Sequence, residues 1–367
     1  MGKSRFGSIR KRSSGRYEVY YRHLGEVHRA PKTFVNHADA RAFLAVVEAD
    51  IYRGTWIDPT AGRTTVGEFA SKWIDERVNL RPRTAELYRR LLEHQILPEL
   101  GKTNLADLTA SQIRTWNANL AKQYPSTASK AYRLLATMMR TAVEDGVIGQ
   151  SPCRIKGAGN EKAAERPVAT VEDVQRIAEL MPDRMRALVL LVAWTGLRRG
   201  EAFALERRDL DLVHASVKVE RAANHLTDGR VYIGPPKTSA GTRTVHYPAE
   251  LLPVIMSHLD QFVGPEPTAL VFAGEHGGVL RPHVLYKHYT RATNAIGKPE
   301  LRFHDLRHTS ATWAAVVGGT TRELMNRLGH SSPNAALRYQ HATVERDRSI
   351  AEGLGRLWDA GKEHQSP

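Results

Sequence analysis

The 367-residue sequence contains one cysteine, Cys153, which rules out an intrachain disulfide and any zinc centre built on cysteine pairs. It also lacks a long hydrophobic run. The longest strongly apolar stretch, Ala187 to Trp194, falls far short of the ~20 residues that span a bilayer. The N-terminus is basic, but no apolar segment follows of the kind a secretory signal needs. A chain that works inside the cell is expected, in the cytoplasm and without a membrane partner. There is no Gly-x-x-x-x-Gly-Lys-[Ser/Thr] loop and no acidic cluster of the metal-binding type, so neither nucleotide nor metal cofactor is expected. Internal repeats and low-complexity tracts are absent as well.

Acidic residues are in deficit: 39 Asp and Glu stand against 53 Lys and Arg, a formal net charge of +14. Such an excess favours a polyanionic partner. Its placement adds to this. Residues 1 to 32 carry nine Lys or Arg and only Glu18 and Glu26, so seven of the fourteen net charges fall in the first tenth of the chain. Among them Arg10, Lys11, Arg12, Arg16 and Arg22 are interleaved with Phe6, Tyr17, Tyr20 and Tyr21 in strand-like alternation. That pattern predicts contact with a DNA backbone rather than a solvated tail.

What is present in quantity is apolar residue content, 41%, enough for two or three cores in a chain of this length. Arg16 to His23 and Val27 to Phe34 read as short strands. A helix begins at Asn36 or His37, carries Ala40, Phe43, Leu44, Val47 and Ile51 at helical spacing, and ends at Gly54. Asp58 to Arg63 reads as a linker. Four amphipathic helices follow: one through Val66 to Ile74, one through Thr84 to Ile96 that ends near Pro98 and Gly101, one capped by Thr109, and one over Ser126 to Val143. Their Trp and Tyr residues are expected in the core. Outer-face cations such as Arg81, Arg83, Arg89, Arg90, Lys130, Arg133 and Arg140 are either phosphate contacts or ordinary surface. After the polar joint at Gly157 to Lys162, a third region opens near Arg166. It holds a helix begun at Thr170, the apolar helix Met185 to Trp194, strands over 216–220, 230–233 and 243–247, and further helices.

Four patches in this third region carry chemistry. Thr195-Gly-Leu-Arg-Arg-Gly-Glu201 follows the apolar helix, and its glycines let Arg198 project from a rigid base. Pro236-Lys237-Thr238 sits at a turn between expected strands. In His304-Asp-Leu-Arg-His308, His304 and Arg307 are one helical turn apart and can face one site. Leu328-Gly-His330 is followed nine positions later by Tyr339. His304 and His308 have the i, i+4 spacing of a helical metal pair, but Asp305 stands where a zinc protease has glutamate. His308 is read as a structural hydrogen-bonding partner.

Taken in order, these patches resemble the tyrosine recombinase (phage integrase) family, of the three-domain, arm-binding type. The resemblance spans about residues 65 to 350 and extends to the N-terminal segment, which is similar to the arm-site-binding sheet of the larger phage integrases. It implies an α+β chain with three parts: a small three-stranded sheet plus helix over 1–60 that binds arm DNA, an all-helical core-binding domain over 65–155, and a mainly helical catalytic domain with a small antiparallel sheet over 165–358. It implies Arg198, Lys237, His304, Arg307, His330 and Tyr339 as catalytic residues, with Glu201 as an acidic support. The implied activity is site-specific cleavage and rejoining of DNA through a 3′-phosphotyrosine, integrating and excising a phage or mobile element. The implied partners are double-stranded DNA at core and arm sites, a homotetramer on DNA, a DNA-bending host factor and an excision directionality factor, with the nucleoid as the place of work. Thr343 to Trp358 is either a subunit-exchange segment or packs on its own domain. The alternatives are a type IB topoisomerase-like activity and a non-catalytic DNA-binding protein on the same scaffold.

Overall fold

The computed structural model describes residues 6–58, 60–161, 166–236, 238–330, 332, 351–352 and 354–355. Lys237, Tyr339 and most of the Thr343–Trp358 segment lie outside the described residues. The chain divides into two compact units, Met1–Ala163 and Ala164–Pro367.

The first unit opens with an antiparallel sheet in the order β1 (Gly7–Lys11), β2 (Tyr17–His23), β3 (Glu26–Arg29), followed by α1 (His37–Tyr52). Asn36 is the N-cap of α1 and accepts from the Asp39 amide at 2.8 Å, satisfying one of the helix's orphan donors. Alternation along β2 sends Val19 and Tyr21 to the face that α1 covers, where Phe34, Ala40, Phe43 and Leu44 close a small core. Trp56 extends that cover, donating from its indole Nε1 to the Tyr21 hydroxyl at 3.2 Å.

Helices α2 (Val66–Asp75), α3 (Pro82–Leu91), α4 (Leu97–Leu100), α5 (Ala110–Gln123) and α6 (Pro125–Glu144) form a separate core in the same unit. Capping boxes at Thr65/Glu68 and Thr109/Gln112 start α2 and α5. Trp73 and Trp116 are buried as expected, each with its indole N–H satisfied, by Thr141 Oγ1 and by the Gln95 carbonyl. The helix expected to end near Pro98 and Gly101 does stop at Gly101, after a π turn over Leu92–Ile96 that leads into α4. The wider turn accommodates a residue that has no amide hydrogen to give.

In the second unit, α7 (Val171–Leu180) begins at a Thr170/Asp173 capping box and packs on α8 (Asp183–Thr195), which is buried on every side from Ala187 to Ala193. The short α9 (Arg199–Phe203) follows. Strands β4 (Leu210–Asp211), β5 (Ser216–Val219) and β8 (Arg243–His246) make one antiparallel sheet; β6 (Ala222–His225) and β7 (Val231–Gly234) make another. The strands on either side of Lys237, β7 and β8, therefore belong to different sheets and do not pair with each other. The reason is local: the Asp228-Gly229 turn, with Gly229 at φ 86°, zips β7 onto β6, while Val217 and Val245 pair within the core. Helices α10 (Leu252–Phe262), α11 (Pro282–Ala295), α12 (Asp305–Val316) and α13 (Thr321–Leu328) complete the layer. No helix among the described residues is long and apolar enough to cross a membrane.

Candidate active site and DNA-facing surface

The site is assembled where the C-terminal ends of α8 and α13 meet. Both helices stop on a glycine in the left-handed region, Gly196 at φ 68° and Gly329 at φ 63°. A Cβ on Gly196 would lie 2.6 Å from Leu328 Cδ2, so this position needs glycine for contact as well as conformation. Each helix end leaves carbonyls without intrahelical donors. Arginines supply them. Arg307 Nη1 donates to the Gly196 carbonyl at 2.6 Å and its Nη2 to the Leu328 carbonyl at 2.5 Å. Arg198 Nη2 donates to the Gly329 carbonyl at 3.0 Å, and Arg327 Nη2 to the Trp194 carbonyl at 2.6 Å.

Arg198 is the N-cap of α9, which turns its side chain back over the helix start. There Glu201, 2% exposed, takes the Arg198 guanidinium at 2.7 Å and the Arg198 amide at 2.9 Å. Arg198 keeps about a third of its side chain open to solvent, whereas Arg307 is 4% exposed. The two expected arginines are thus brought to one place but differ in role: one is presented, the other is embedded.

His304 caps the start of α12 one turn before Arg307, and its ring meets that of His308 edge to face at 5.7 Å. Burial, then Arg307 and His308, with a smaller push from Arg198, carry the His304 imidazole down to about 4 against the opposing pull of Asp305. His304 keeps an exposed face. His330 follows Gly329 and is also driven down to about 4, by burial first and then by Arg307, Arg198 and Arg243. Both rings are therefore neutral at pH 7. Arg198, His304, Arg307 and His330 share one electrostatic neighbourhood. Among the described residues no group of three His, Cys, Asp or Glu could hold a metal ion.

A pH dependence of stability follows. Both rings bind a proton more weakly in the folded chain than at the ordinary value of 6.5. Between pH 6.5 and about 4 the unfolded chain holds more protons, so these groups make stability fall as pH drops through that window and leave it flat above. Thermal unfolding from pH 7.5 to 4.5 should show this decline, and His330→Gln should remove part of it. An unchanged slope in that variant would contradict the neutral-imidazole assignment.

In the N-terminal sheet, register separates the five expected DNA contacts. Arg10 and Arg22 are exposed on the face away from α1, with Tyr20 and Arg29 between or beside them. Arg12 is within 3.4 Å of Glu18, which also takes Arg29. Lys11 lies on the other face with its ammonium 5.8 Å from the centre of the Tyr17 ring. Arg16 is committed to Thr33, donating to its hydroxyl at 2.7 Å and its carbonyl at 2.8 Å. Arg29, which was not among the five, shares the face of Arg10 and Arg22 through its pairing with Tyr20. In the helical layer Arg83, Arg89, Lys130 and Arg133 pair with Glu86, Asp75 and Glu161, while Arg90 and Arg140 are exposed.

Three family models match the chain: the phage integrase family over residues 167–346, the phage integrase N-terminal domain over 5–53, and the phage integrase N-terminal SAM-like domain over 65–121. The putative prophage phiRv2 integrase of Mycobacterium tuberculosis is 39% identical over 363 residues, covering 96% of each chain. The chain belongs to the phage integrase family, the tyrosine-type site-specific DNA recombinases. Solved structures agree in fold. The Tn1549 transposon integrase in complex with a circular intermediate DNA superposes with a TM-score of 0.69 at 21% identity, covering 79% of this chain and 99% of that one. A lambda integrase tetramer bound to a Holliday junction gives 0.58 at 17% identity, covering 92% and 97%. The recombinase is an enzyme of DNA strand breakage and rejoining, a reading that this membership favours over the non-catalytic alternative.

Proposed function

We propose that this recombinase cleaves double-stranded DNA by attack of Tyr339 on a phosphodiester clamped by Arg198 and Arg307, with His304, His330 and Lys237 moving or holding protons. The observation that carries the reading is the pair of forked guanidiniums fixed at the α8 and α13 termini beside two neutral imidazoles. Attack on phosphorus builds negative charge on the non-bridging oxygens. Arginine's planar fork meets two such oxygens at once, and a preorganised fork costs no reorganisation as the charge develops. A tyrosine with a pKa near ~10 must lose its proton, and neutral His304 is available as the base. His330 donates to the phosphate, and Lys237 protonates the leaving 5′-oxygen. The 3′-phosphotyrosine then conserves the bond for rejoining.

Regions 1–60, 65–155 and 165–358 serve as arm-binding, core-binding and catalytic domains. Four copies assemble on two duplexes, as the lambda integrase tetramer on its junction supports, and integrate or excise a mobile element. Linking arm and core binding in one chain raises effective concentration at the core. Because duplex DNA is stiff over ~150 base pairs, such bridging calls for a DNA-bending host factor, and a directionality factor would select excision.

The mechanism requires no metal or nucleotide. A core-site substrate nicked beside the scissile phosphate should trap a covalent adduct in EDTA, visible on a denaturing gel. A strict magnesium requirement for the cleavage step would overturn the mechanism. For the arm region, Arg10→Ala with Arg22→Ala should weaken binding to attachment-region DNA and flatten its salt dependence by about one unit per lost phosphate contact. Arg16→Ala should instead lower the melting temperature, because it breaks the two bonds to Thr33. Equal loss of binding in the two variants without unfolding would contradict the division between faces.

A further inference from the structure

We propose that Arg243 is a positioning residue for strand cleavage, locking the Glu201 carboxylate, the end of α13 and the loop after Lys237 into one frame around Arg198 and His330. The proposal rests on the reading of this site as the cleavage centre. Arg243 opens β8 and its side chain is only 6% exposed, so it does not face a DNA backbone. Its donors go to three separate parts of the fold. Nη2 donates to Glu201 Oε2 at 2.9 Å, Nε to the Arg327 carbonyl at 2.7 Å, and Nη1 to the Gly241 carbonyl at 2.9 Å. The approach is close: a Cβ on Gly329 would lie 3.1 Å from Arg243 Nη1 and 2.8 Å from the Ala240 carbonyl oxygen. The backbone just before His330 is thereby packed closely against the Arg243 guanidinium and the Ala240-Gly241 segment.

Charge gives this geometry a consequence. Burial alone would raise the Glu201 carboxyl, but Arg243 first and Arg198 next outweigh it and hold the group below the usual carboxylate range. One carboxylate is shared between two guanidiniums. Without Arg243, its Oε2 loses its guanidinium partner, and Glu201 either takes up a proton or closes on Arg198 with both oxygens. Either outcome re-aims the fork that Arg198 presents to phosphate. The same loss frees the Arg327 carbonyl, and with it the turn into His330. A lysine at 243 keeps the charge near Glu201 but cannot reach three acceptors in three directions.

The test uses the full-length chain, wild type alongside Arg243→Gln, Arg243→Lys and Tyr339→Phe. Adduct formation on a nicked core-site substrate at saturating DNA is compared with DNA affinity, melting temperature and the pH profile of cleavage. Arg243→Gln should keep DNA affinity within about threefold yet cleave roughly 10²-fold more slowly, the scale expected for misplacement of a catalytic group by ~1 Å. Its acid limb should stay in place, because the base, His304, is held down by burial, Arg307, His308 and Arg198, none of which the variant removes. Arg243→Lys should also cleave at least about tenfold more slowly, with its acid limb unmoved. Near wild-type cleavage by either folded variant would overturn the proposal, as would affinity and rate falling together. Should the Gln variant fail to fold, the Lys variant decides. Tyr339→Phe separates this idea from the broader one: wild type forming an adduct that Tyr339→Phe lacks keeps the cleavage reading whatever Arg243 does.

Discussion

Tyr339→Phe should abolish the covalent protein–DNA adduct while DNA affinity stays within about threefold, because the change removes one oxygen and little volume. Among the described residues, the side chains gathered at the site are arginines and imidazoles. His304 and His330 are neutral at pH 7 and hydrogen-bonding in character, and the arginines are not nucleophiles. Residual cleavage should therefore fall below detection in a single-turnover assay on nicked substrate. An adduct that persists in the variant would move the nucleophile elsewhere in the chain.

The second large effect separates the two arginines. Arg198→Lys and Arg307→Lys keep the charge but lose the fork, and each should slow cleavage by about 10²- to 10³-fold, the cost of removing one oxyanion donor. Their structural costs should differ. Arg307 is embedded and holds the Gly196 and Leu328 carbonyls at once, so a lysine leaves at least one buried acceptor unsatisfied, at roughly 1–3 kcal/mol. Arg198 is a third exposed and is tethered by Glu201, so its lysine variant should melt close to wild type. Measuring melting temperature with cleavage rate resolves the two. Equal melting of both variants would contradict the assignment of Arg307 as the keystone of the helix termini.

Much of this site was readable in the sequence because its members come in short local patches. Thr195 to Glu201 spells out a helix end, a left-handed glycine, a presented arginine and its carboxylate within seven residues. His304 and Arg307 share one turn of α12. What was hidden depends on contacts across long stretches of chain. Arg243 meets Glu201 from 42 residues away and the Arg327 carbonyl from 84, and nothing in its own surroundings, Gly-Thr-Arg-Thr-Val, distinguishes it from an exposed strand residue. The separation of β7 and β8 into two sheets was hidden because β6, Ala222–His225, has no β-branched residue to mark it as a strand. In the N-terminal sheet the alternation was visible, but which face α1 covers was not. That choice puts Arg10 and Arg22 on one face and Lys11 on the other, and Arg16 is bonded to Thr33.

The claim on which the account turns is that DNA is cleaved through a covalent bond to Tyr339. The most direct measurement is to trap the adduct on a nicked core-site substrate, digest it with nuclease and trypsin, and locate the attached nucleotide by mass spectrometry. The account predicts a nucleotide joined through its 3′-phosphate to the peptide running from Tyr339 to Arg346, on Tyr339 itself, with a free 5′-hydroxyl on the released strand. A nucleotide carried on any other residue, or a 5′-phosphate link with a free 3′-hydroxyl, would contradict it.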